Sequence, residues 1–240
     1  MSRIADRNWV LAFVCIFSLS AATTSAAPVL IDNFADPANP TTFVINLLDS
    51  DPYNLAQTGA GILGGERELT IDVQGVSGPV SAVGTIGGGQ FLLNSGVPGS
   101  LIDLSYNGIG QAGLGGVDLV DGTNTGIRLD FGFVDPGSAP NFSYEILLAN
   151  PSGSAVYIGS LGSIVSPTSI FVPFNLFTVN GGFQFTSVED VIFQFNLPGT
   201  DNVDFSLTTL TATPPEPASI VLAGLGALAA VGMVVGARRR

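Results

Sequence analysis

The chain of 240 residues is long enough for one sizeable domain or two small ones, and its apolar fraction of 46% is high enough for a packed core. It carries 19 acidic and 7 basic residues, with no lysine and no histidine, and a net charge of −12 disfavours binding to nucleic acid or anionic lipid. The only cysteine, Cys15, has no partner for a disulfide within the chain. Without histidine, and with no cysteine after residue 15, the usual general base and thiol nucleophile are missing, so we expect no enzyme.

Residues 1–26 are typical of a secretory signal peptide, which we expect to be helical. Arg3 and Arg7 precede an apolar stretch, and small side chains end the segment. We therefore expect signal peptidase to cut between Ala26 and Ala27. A membrane anchor is the alternative, but the apolar stretch is shorter than a bilayer span requires.

The carboxy-terminal segment, residues 214–240, has three parts in a fixed order. A proline-rich motif is followed by an uncharged apolar stretch and a basic end: Pro215, Glu216 and Pro217; residues 220–237; Arg238, Arg239 and Arg240. The prolines exclude a helix at the motif. As a helix, the apolar stretch would reach about 27 Å, enough to cross the hydrocarbon core, and the arginines would hold its end in the cytoplasm.

This order of parts resembles the PEP-CTERM sorting signal of bacterial exported proteins, with Pro215, Glu216 and Pro217 matching its motif. The resemblance is confined to the tail. It implies recognition by a membrane-embedded exosortase, removal of the tail, and release or re-attachment of the protein at the surface. We therefore expect a location in the cell envelope or outside the cell, with a carboxy-terminal membrane span only in the precursor.

The middle of the chain, residues 27–213, is predicted to be one all-β domain. Apolar and polar residues alternate in short runs such as Leu69–Val73, Ile127–Phe133 and Phe142–Leu148, and turn-forming residues separate the runs. This pattern predicts an antiparallel two-sheet sandwich, jelly-roll-like, with a barrel or a short solenoid as the alternative. If Phe131 is buried in it, Phe131→Ala should cost about 3–5 kcal/mol.

Two classes of carbohydrate-active protein fit an exported β domain. Glu66 and Glu68 lie on one face of a predicted strand, the arrangement from which a paired-carboxylate glycosidase would be built, but solvent exposure beside a turn is the favoured interpretation. A carbohydrate-binding module is the stronger rival. Its sugar platforms are usually exposed tryptophan or tyrosine, whereas the only tryptophan, Trp9, is lost with the signal peptide. The tyrosines that remain are Tyr53, Tyr106, Tyr144 and Tyr157, of which Tyr144 is predicted to be buried.

The ends of the middle domain resemble galactose-binding-like jelly rolls. Residues 31–34 look like their first strand and residues 202–205 like their last, where an aspartate commonly helps to hold structural calcium. Oxygen ligands that could bind calcium form two groups: Asp118, Asp121 and Asn124; Asp201 and Asp204, joined by Asp32 if the first and last strands are neighbours. The alternative is that these residues only form turns. No other cofactor is expected.

The sequence as a whole predicts an exported, non-enzymatic protein of the cell surface or extracellular matrix. The alternative is an extracellular carbohydrate-binding module associated with exopolysaccharide. Expected partners are signal peptidase and an exosortase during export, the membrane before processing, and extracellular polysaccharide in the alternative.

Overall fold

Two antiparallel sheets pack face to face in the computed structural model, which describes residues 27–46, 52–73, 81–95, 100–121, 124–137, 142–195 and 203–214. Strands account for 63% of it and helices for 6%, so the predicted all-β sandwich is confirmed. Across those ranges, no helix is long and apolar enough to cross a membrane. The predicted signal helix (1–26) and membrane helix (220–237) lie outside the described residues.

Sheet I consists of seven strands: β1 (Val29–Asp32), β2 (Thr41–Asn46), β5 (Ser81–Gly87), β6 (Gln90–Ser95), β8 (Gly126–Asp135), β11 (Thr168–Pro173) and β14 (Asp204–Thr213). Their order is β11-β8-β14-β6-β5-β2, and β1 also pairs with β14. The first and last strands are therefore neighbours, with Asp32 opposite Leu210.

Sheet II consists of seven further strands: β3 (Tyr53–Thr58), β4 (Glu66–Val73), β7 (Ser100–Tyr106), β9 (Phe142–Asn150), β10 (Gly153–Leu161), β12 (Thr178–Gly181) and β13 (Asp190–Phe195). Their order is β12-β10-β9-β13-β7-β4-β3. Among the described residues, single 3-10 turns occur at Leu63–Gly65, Ile109–Gln111 and Phe174–Leu176. The chain passes repeatedly between the sheets, as in a jelly roll, so strands that lie side by side come from distant parts of the sequence.

A cluster of phenylalanine rings fills the space between the sheets. Phe205 on sheet I lies at its centre, with ring centroids 5.3 Å from Phe91, 5.2 Å from Phe142 and 5.3 Å from Phe195. These four side chains are fully buried, and Phe131 beside them is 1% exposed. The aromatic residues of the predicted strands thus form the core, as their period-two spacing indicated.

The alternation on β8 fails at its second half, where Phe133 was expected to point inward with Phe131. Phe133 is instead partly exposed, and Val134 is buried. The register between β8 and β14 shifts here, because Ser206 pairs with Phe133 whereas Leu207 pairs with Phe131. Such a β-bulge adds one residue to a strand, so the side chains that follow it point to the opposite face from the one that simple alternation predicts.

A buried ion pair joins the two sheets. Asp32 of β1 and Arg67 of β4 are both 0% exposed, and the Nη1 atom of Arg67 lies 2.9 Å from Oδ1 and 2.7 Å from Oδ2 of Asp32. Gln57 accepts hydrogen bonds from Nε (3.0 Å) and Nη2 (2.8 Å) of the same guanidinium, which also donates to the carbonyl of Asp36. The guanidinium is thereby paired as a buried charge requires.

The Asp32 carboxylate is equally well surrounded. It accepts hydrogen bonds from the Phe34 backbone N–H (2.7 Å) and from the Tyr106 hydroxyl (2.9 Å). Burial raises the pKa of Asp32 above its ordinary value, and the charge of Arg67 acts in the opposite direction. The ring of Phe34 lies 5.2 Å from the Arg67 guanidinium carbon, so the cation also has an aromatic neighbour.

Candidate functional site

A row of hydrogen-bonding side chains crosses the outer face of sheet II. Cross-strand pairing places Asn54 beside Thr70, Thr70 beside Asp103, Asp103 beside Gln194, and Gln194 beside Glu145. The row therefore runs perpendicular to five adjacent strands and is about 19 Å long at the usual strand spacing. Asn54 is exposed, and the other four residues are partly buried. We call these five residues the polar row.

Asp103 is the most constrained member of the polar row. Its Oδ1 atom is buried and has no hydrogen-bond partner among the described residues, while the side chain of Gln194 hydrogen-bonds to the carboxylate. Burial raises the pKa of Asp103 above its usual 3.8, the negative charge of Asp72 raises it further, and the hydrogen bond from Gln194 lowers it. The carboxylate is therefore held in place at a cost in stability.

A groove of about 510 Å³ lies at one end of the polar row. Asn54 and Thr70 line it, with Thr70 Oγ1 donating to Asn54 Oδ1 at 2.8 Å. Across the groove, Gln111 of the 3-10 turn donates from Nε2 to both oxygens of Glu68, at 3.1 and 3.3 Å. The groove is thus bordered by amide, hydroxyl and carboxylate groups, the groups that bind hydroxyl-rich ligands.

Glu66 and Glu68 do lie on the same face of β4, as the sequence predicted. Both are partly buried, and the turn at Ile109–Gln111 covers them: Oε2 of Glu66 is 3.4 Å from the Gly110 backbone nitrogen. Each carboxylate thus accepts a hydrogen bond from the same turn, an arrangement that holds the turn against the sheet.

The tyrosine rings pack against other side chains of the fold and do not form flat surfaces for stacking on sugars. Tyr106 and Tyr144 are buried, the latter as predicted. The partly buried Tyr53 stacks on Phe43 with ring centroids 5.2 Å apart, and Tyr157 packs 6.0 Å from Tyr144. Any sugar bound at the polar row would therefore be held by hydrogen bonds rather than by tyrosine rings.

The first group of predicted calcium ligands lies in the segment before β8. Oδ1 of Asp118 accepts the Val120 backbone N–H at 2.9 Å, which is the turn-forming arrangement, and Asp121 is exposed. Asn124 is fully buried, and neither atom of its side-chain amide has a hydrogen-bond partner among the described residues. Calcium binding by these residues stays a prediction.

Two members of the second group of predicted calcium ligands, Asp32 of β1 and Asp204 of β14, lie far apart. Asp32 lies opposite Leu210, so Asp204 is six residues further along the strand, about 20 Å away. Nδ2 of Asn94 lies 3.3 Å from Oδ2 of Asp204, and Asp32 is bonded to Arg67. Asp201 lies outside the described residues. Within the described ranges, no three acidic, histidine or cysteine side chains come together as a metal site would require.

The remaining predicted site residues also lie outside the described residues: Ala26, Pro215, Glu216, Pro217, Arg238, Arg239 and Arg240. Ala27, the first residue after the predicted cut, is exposed. The sequence interpretation missed the polar row, although Glu145 lies on the polar side of the predicted run Phe142–Leu148. The signal in the sequence is the set of polar residues that alternate with apolar ones along each predicted strand. Which of these polar residues become neighbours depends on the order of the strands in the sheet.

No family model matches the chain, and no curated protein matches it. Among solved structures, it is similar to a family 11 carbohydrate-binding module from Clostridium thermocellum in complex with a β-1,3-1,4-mixed-linked tetrasaccharide, at 14% identity and TM-score 0.39, covering 79% of this chain and 98% of that one. A mutant of a family 29 carbohydrate-binding module matches at 12% identity and TM-score 0.32, over 73% and 92% of the two chains. An arabinose-bound α-L-arabinofuranosidase matches at 15% identity and TM-score 0.36, and the match covers 80% of this chain and 27% of that one. All three TM-scores lie below 0.5, so these likenesses carry no functional argument.

Proposed function

We propose that the chain is an exported, non-enzymatic protein of the cell surface or extracellular matrix, and that its sandwich domain binds polysaccharide through the polar row. The observation that carries this proposal is the polar row itself, five hydrogen-bonding side chains aligned across five strands on the outer face of sheet II. The partly buried Asp103 lies at its centre. A ligand chain lying along the row would meet donors and acceptors on every strand that it crosses.

The chemistry of the polar row favours a neutral polysaccharide. Its members are two carboxylates, two amides and one hydroxyl, and carboxylates accept hydrogen bonds from sugar hydroxyls. Neighbouring members are separated by one strand spacing, about 4.8 Å, which is close to the length of one pyranose unit in an extended chain. A chain lying along the row would therefore present one sugar unit to each strand, whereas an acidic polymer would be repelled.

We expect Asp103→Asn to weaken polysaccharide binding by about 10- to 100-fold, because a charge-assisted hydrogen bond contributes about 1.5–3 kcal/mol. The exported protein is first screened on a glycan array, and the affinity of wild type and variant for the best neutral glycan is then measured by calorimetry. Asp130→Asn, a carboxylate change on the outer face of sheet I, is the matched control and should bind like wild type. Equal binding by wild type and Asp103→Asn would contradict the proposal.

The same variant has a second readout that separates binding from structure. The pKa of Asp103 is higher in the folded protein than in the unfolded chain, so ionisation of this carboxyl lowers the stability of the fold above that pKa. This loss of stability disappears as the pH falls through the folded-state pKa towards 3.8. Asp103→Asn should therefore melt at a higher temperature than wild type at pH 7, and at no higher temperature in acid. A variant that binds weakly because it is misfolded would instead melt earlier at every pH.

The sorting part of the proposal rests on the tail. In the native host, intact-mass measurement of the exported protein should find a chain that begins at Ala27 and lacks residues 220–237. Replacing Pro215, Glu216 and Pro217 with alanine should leave an unprocessed precursor in the membrane fraction. Asp121→Asn, a change of charge away from the tail, should be processed like wild type. Normal processing of the alanine variant would show that the motif has no role in sorting.

A further inference from the structure

The outer edge of β10 is covered by a neighbouring strand over only part of its length. β10 pairs with β9 from Gly153 to Leu161, whereas β12 pairs with it only from Gly153 to Val156. Among the described residues, no strand pairs with the outer side of residues 157–161. Every second residue of such an edge directs its backbone N–H and C=O groups away from the sheet. We call residues 157–161 the β10 edge.

The β10 edge lies in a part of the chain without charge. Sheet edges are commonly protected by charged side chains or prolines, which prevent pairing with another strand. Residues 146–188 contain no charged residue although the chain has a net charge of −12, and β10 contains no proline. In strands β9, β10 and β12 the only charged side chain is Glu145, one strand inward from the edge. The β10 edge is therefore open to strand pairing.

Exposed apolar side chains lie beside the β10 edge. Ile158 is 66% exposed and Leu176 is 56% exposed, and both line a groove of about 450 Å³ where β12 ends. The ring of Tyr157 packs 6.0 Å from Tyr144 and 5.7 Å from Phe177, so the edge is held in place before any partner arrives. A strand edge with an adjoining apolar surface fits a partner that supplies both a strand and apolar side chains.

We infer that the β10 edge pairs in antiparallel orientation with the same edge of a second copy of this chain. β12 blocks pairing before residue 157 and β10 ends at Leu161, so only one two-fold register pairs all five edge residues of both copies. The axis of this register passes through Gly159 and places Ile158 of each copy opposite Ser160 of the other. The groove beside Ile158 then accommodates the chain that leaves the second copy's strand after Leu161.

Charge favours a second copy as the partner at this edge. Two chains of net charge −12 repel each other wherever their carboxylates come close. Across the paired β10 edges, the two Glu145 side chains are separated by three strand spacings, at least about 14 Å, which exceeds the Debye length of about 8 Å at physiological ionic strength. Pairing here therefore joins two acidic molecules without bringing carboxylates together.

The dimer would extend the outer face of sheet II from one copy into the other. Side chains that are opposite in an antiparallel pair point to the same face, so the polar rows of both copies would lie on one continuous surface. The inference does not rest on polysaccharide binding. Asp103→Asn, which changes the polar row, should dimerise like wild type, so the two proposals can fail separately.

The first test measures association of the exported protein by sedimentation velocity over about a 100-fold range of concentration. Wild type should form dimers as the concentration rises. Ile158→Glu should raise the dissociation constant at least about 10-fold, because it places two carboxylates on the diagonal of the strand pair, about 7–8 Å apart. Ile109→Glu is the matched control: Ile109 is 65% exposed but lies in the turn Ile109–Gln111, so this variant should dimerise like wild type.

A disulfide test checks the register. The only cysteine of the chain, Cys15, lies in the predicted signal peptide. A mixture of Ile158→Cys and Ser160→Cys proteins should form an interchain disulfide on mild oxidation, because directly opposite residues are within disulfide reach. Either variant alone should not, since its two cysteines would be diagonal neighbours with Cα atoms about 7–8 Å apart.

Three results would overturn the inference. The first is a wild-type protein that stays monomeric over the whole concentration range, because the edge would then receive a strand of another protein or none. The second is equal dimerisation of Ile158→Glu and wild type, or equal loss in Ile158→Glu and Ile109→Glu. The third is a dimer in which the mixed cysteine variants form no disulfide, since the two copies would then meet elsewhere.

Discussion

Asp32→Asn should lower the free energy of unfolding by about 3–5 kcal/mol, because it leaves the Arg67 charge buried without its partner. The substitution keeps the shape of the side chain, so the loss reports the charge rather than a cavity. Asp32 also accepts hydrogen bonds from Phe34 and Tyr106, and an amide in its place can satisfy them only in part. Urea unfolding at pH 7, followed by circular dichroism, measures the change.

Two controls identify the buried charge as the cause. Asp130→Asn breaks a pair of the same 2.7 Å length, Arg128–Asp130, whose side chains are 34% and 23% exposed, and should cost no more than about 1 kcal/mol. The double variant Asp32→Asn with Arg67→Met removes both charges and should recover much of the loss. Equal costs for the buried and the exposed pair would contradict this account of the network.

Phe205→Ala should also cost about 3–5 kcal/mol, because it removes the ring at the centre of the aromatic core and leaves a cavity. The midpoint of thermal unfolding should fall by about 6–20 °C for a domain of this size. Phe205 contacts Phe91 on its own sheet and Phe142 and Phe195 on the opposite sheet, so neighbours on both sides lose packing.

Phe205→Leu should cost less than Phe205→Ala, since it keeps most of the buried volume. Val165→Ala, at a side chain that is 92% exposed, should leave the melting curve unchanged. A similar cost for Phe205→Ala and Val165→Ala would mean that the ring cluster does not hold the two sheets together.

The Asp32–Arg67 ion pair and the ring cluster around Phe205 matter for the proposed binding face as well as for stability. Sheet II presents the polar row outward and receives the Phe205 ring and the Asp32 carboxylate from sheet I on its inner side. Because both contacts bridge the two sheets, they hold sheet II as a rigid support for its outer residues. Ligand groups spaced along several strands need such a support, since small displacements misalign hydrogen bonds.

The strands themselves could be predicted from the sequence because alternation is a local property. Leu69 and Ile71, or Phe193 and Phe195, are buried since successive side chains of a strand point to opposite faces. The pattern misplaced Phe133, because a bulge depends on the partner strand and leaves no mark on the alternation of its own strand.

The sequence by itself also determines features that do not depend on strand pairing. The absence of histidine, the position of the one cysteine and the order of parts in the tail are properties of the chain, and they support the expectations of export and of no catalysis. The sequence also predicted two groups of oxygen ligands: Asp118, Asp121 and Asn124; Asp201 and Asp204, joined by Asp32. It could not assign partners to them, since a carboxylate that binds calcium and one that binds an arginine look the same in a sequence.

Only the tertiary structure decided which polar residues meet. Asp32 and Arg67 are 35 residues apart, and Thr70, Asp103, Gln194 and Glu145 come from four strands far apart in the chain. Strand order and register bring them together, and these depend on how two sheets bury their apolar faces against each other rather than on any local pattern. The strands are thus specified locally, whereas the polar row is created by long-range pairing.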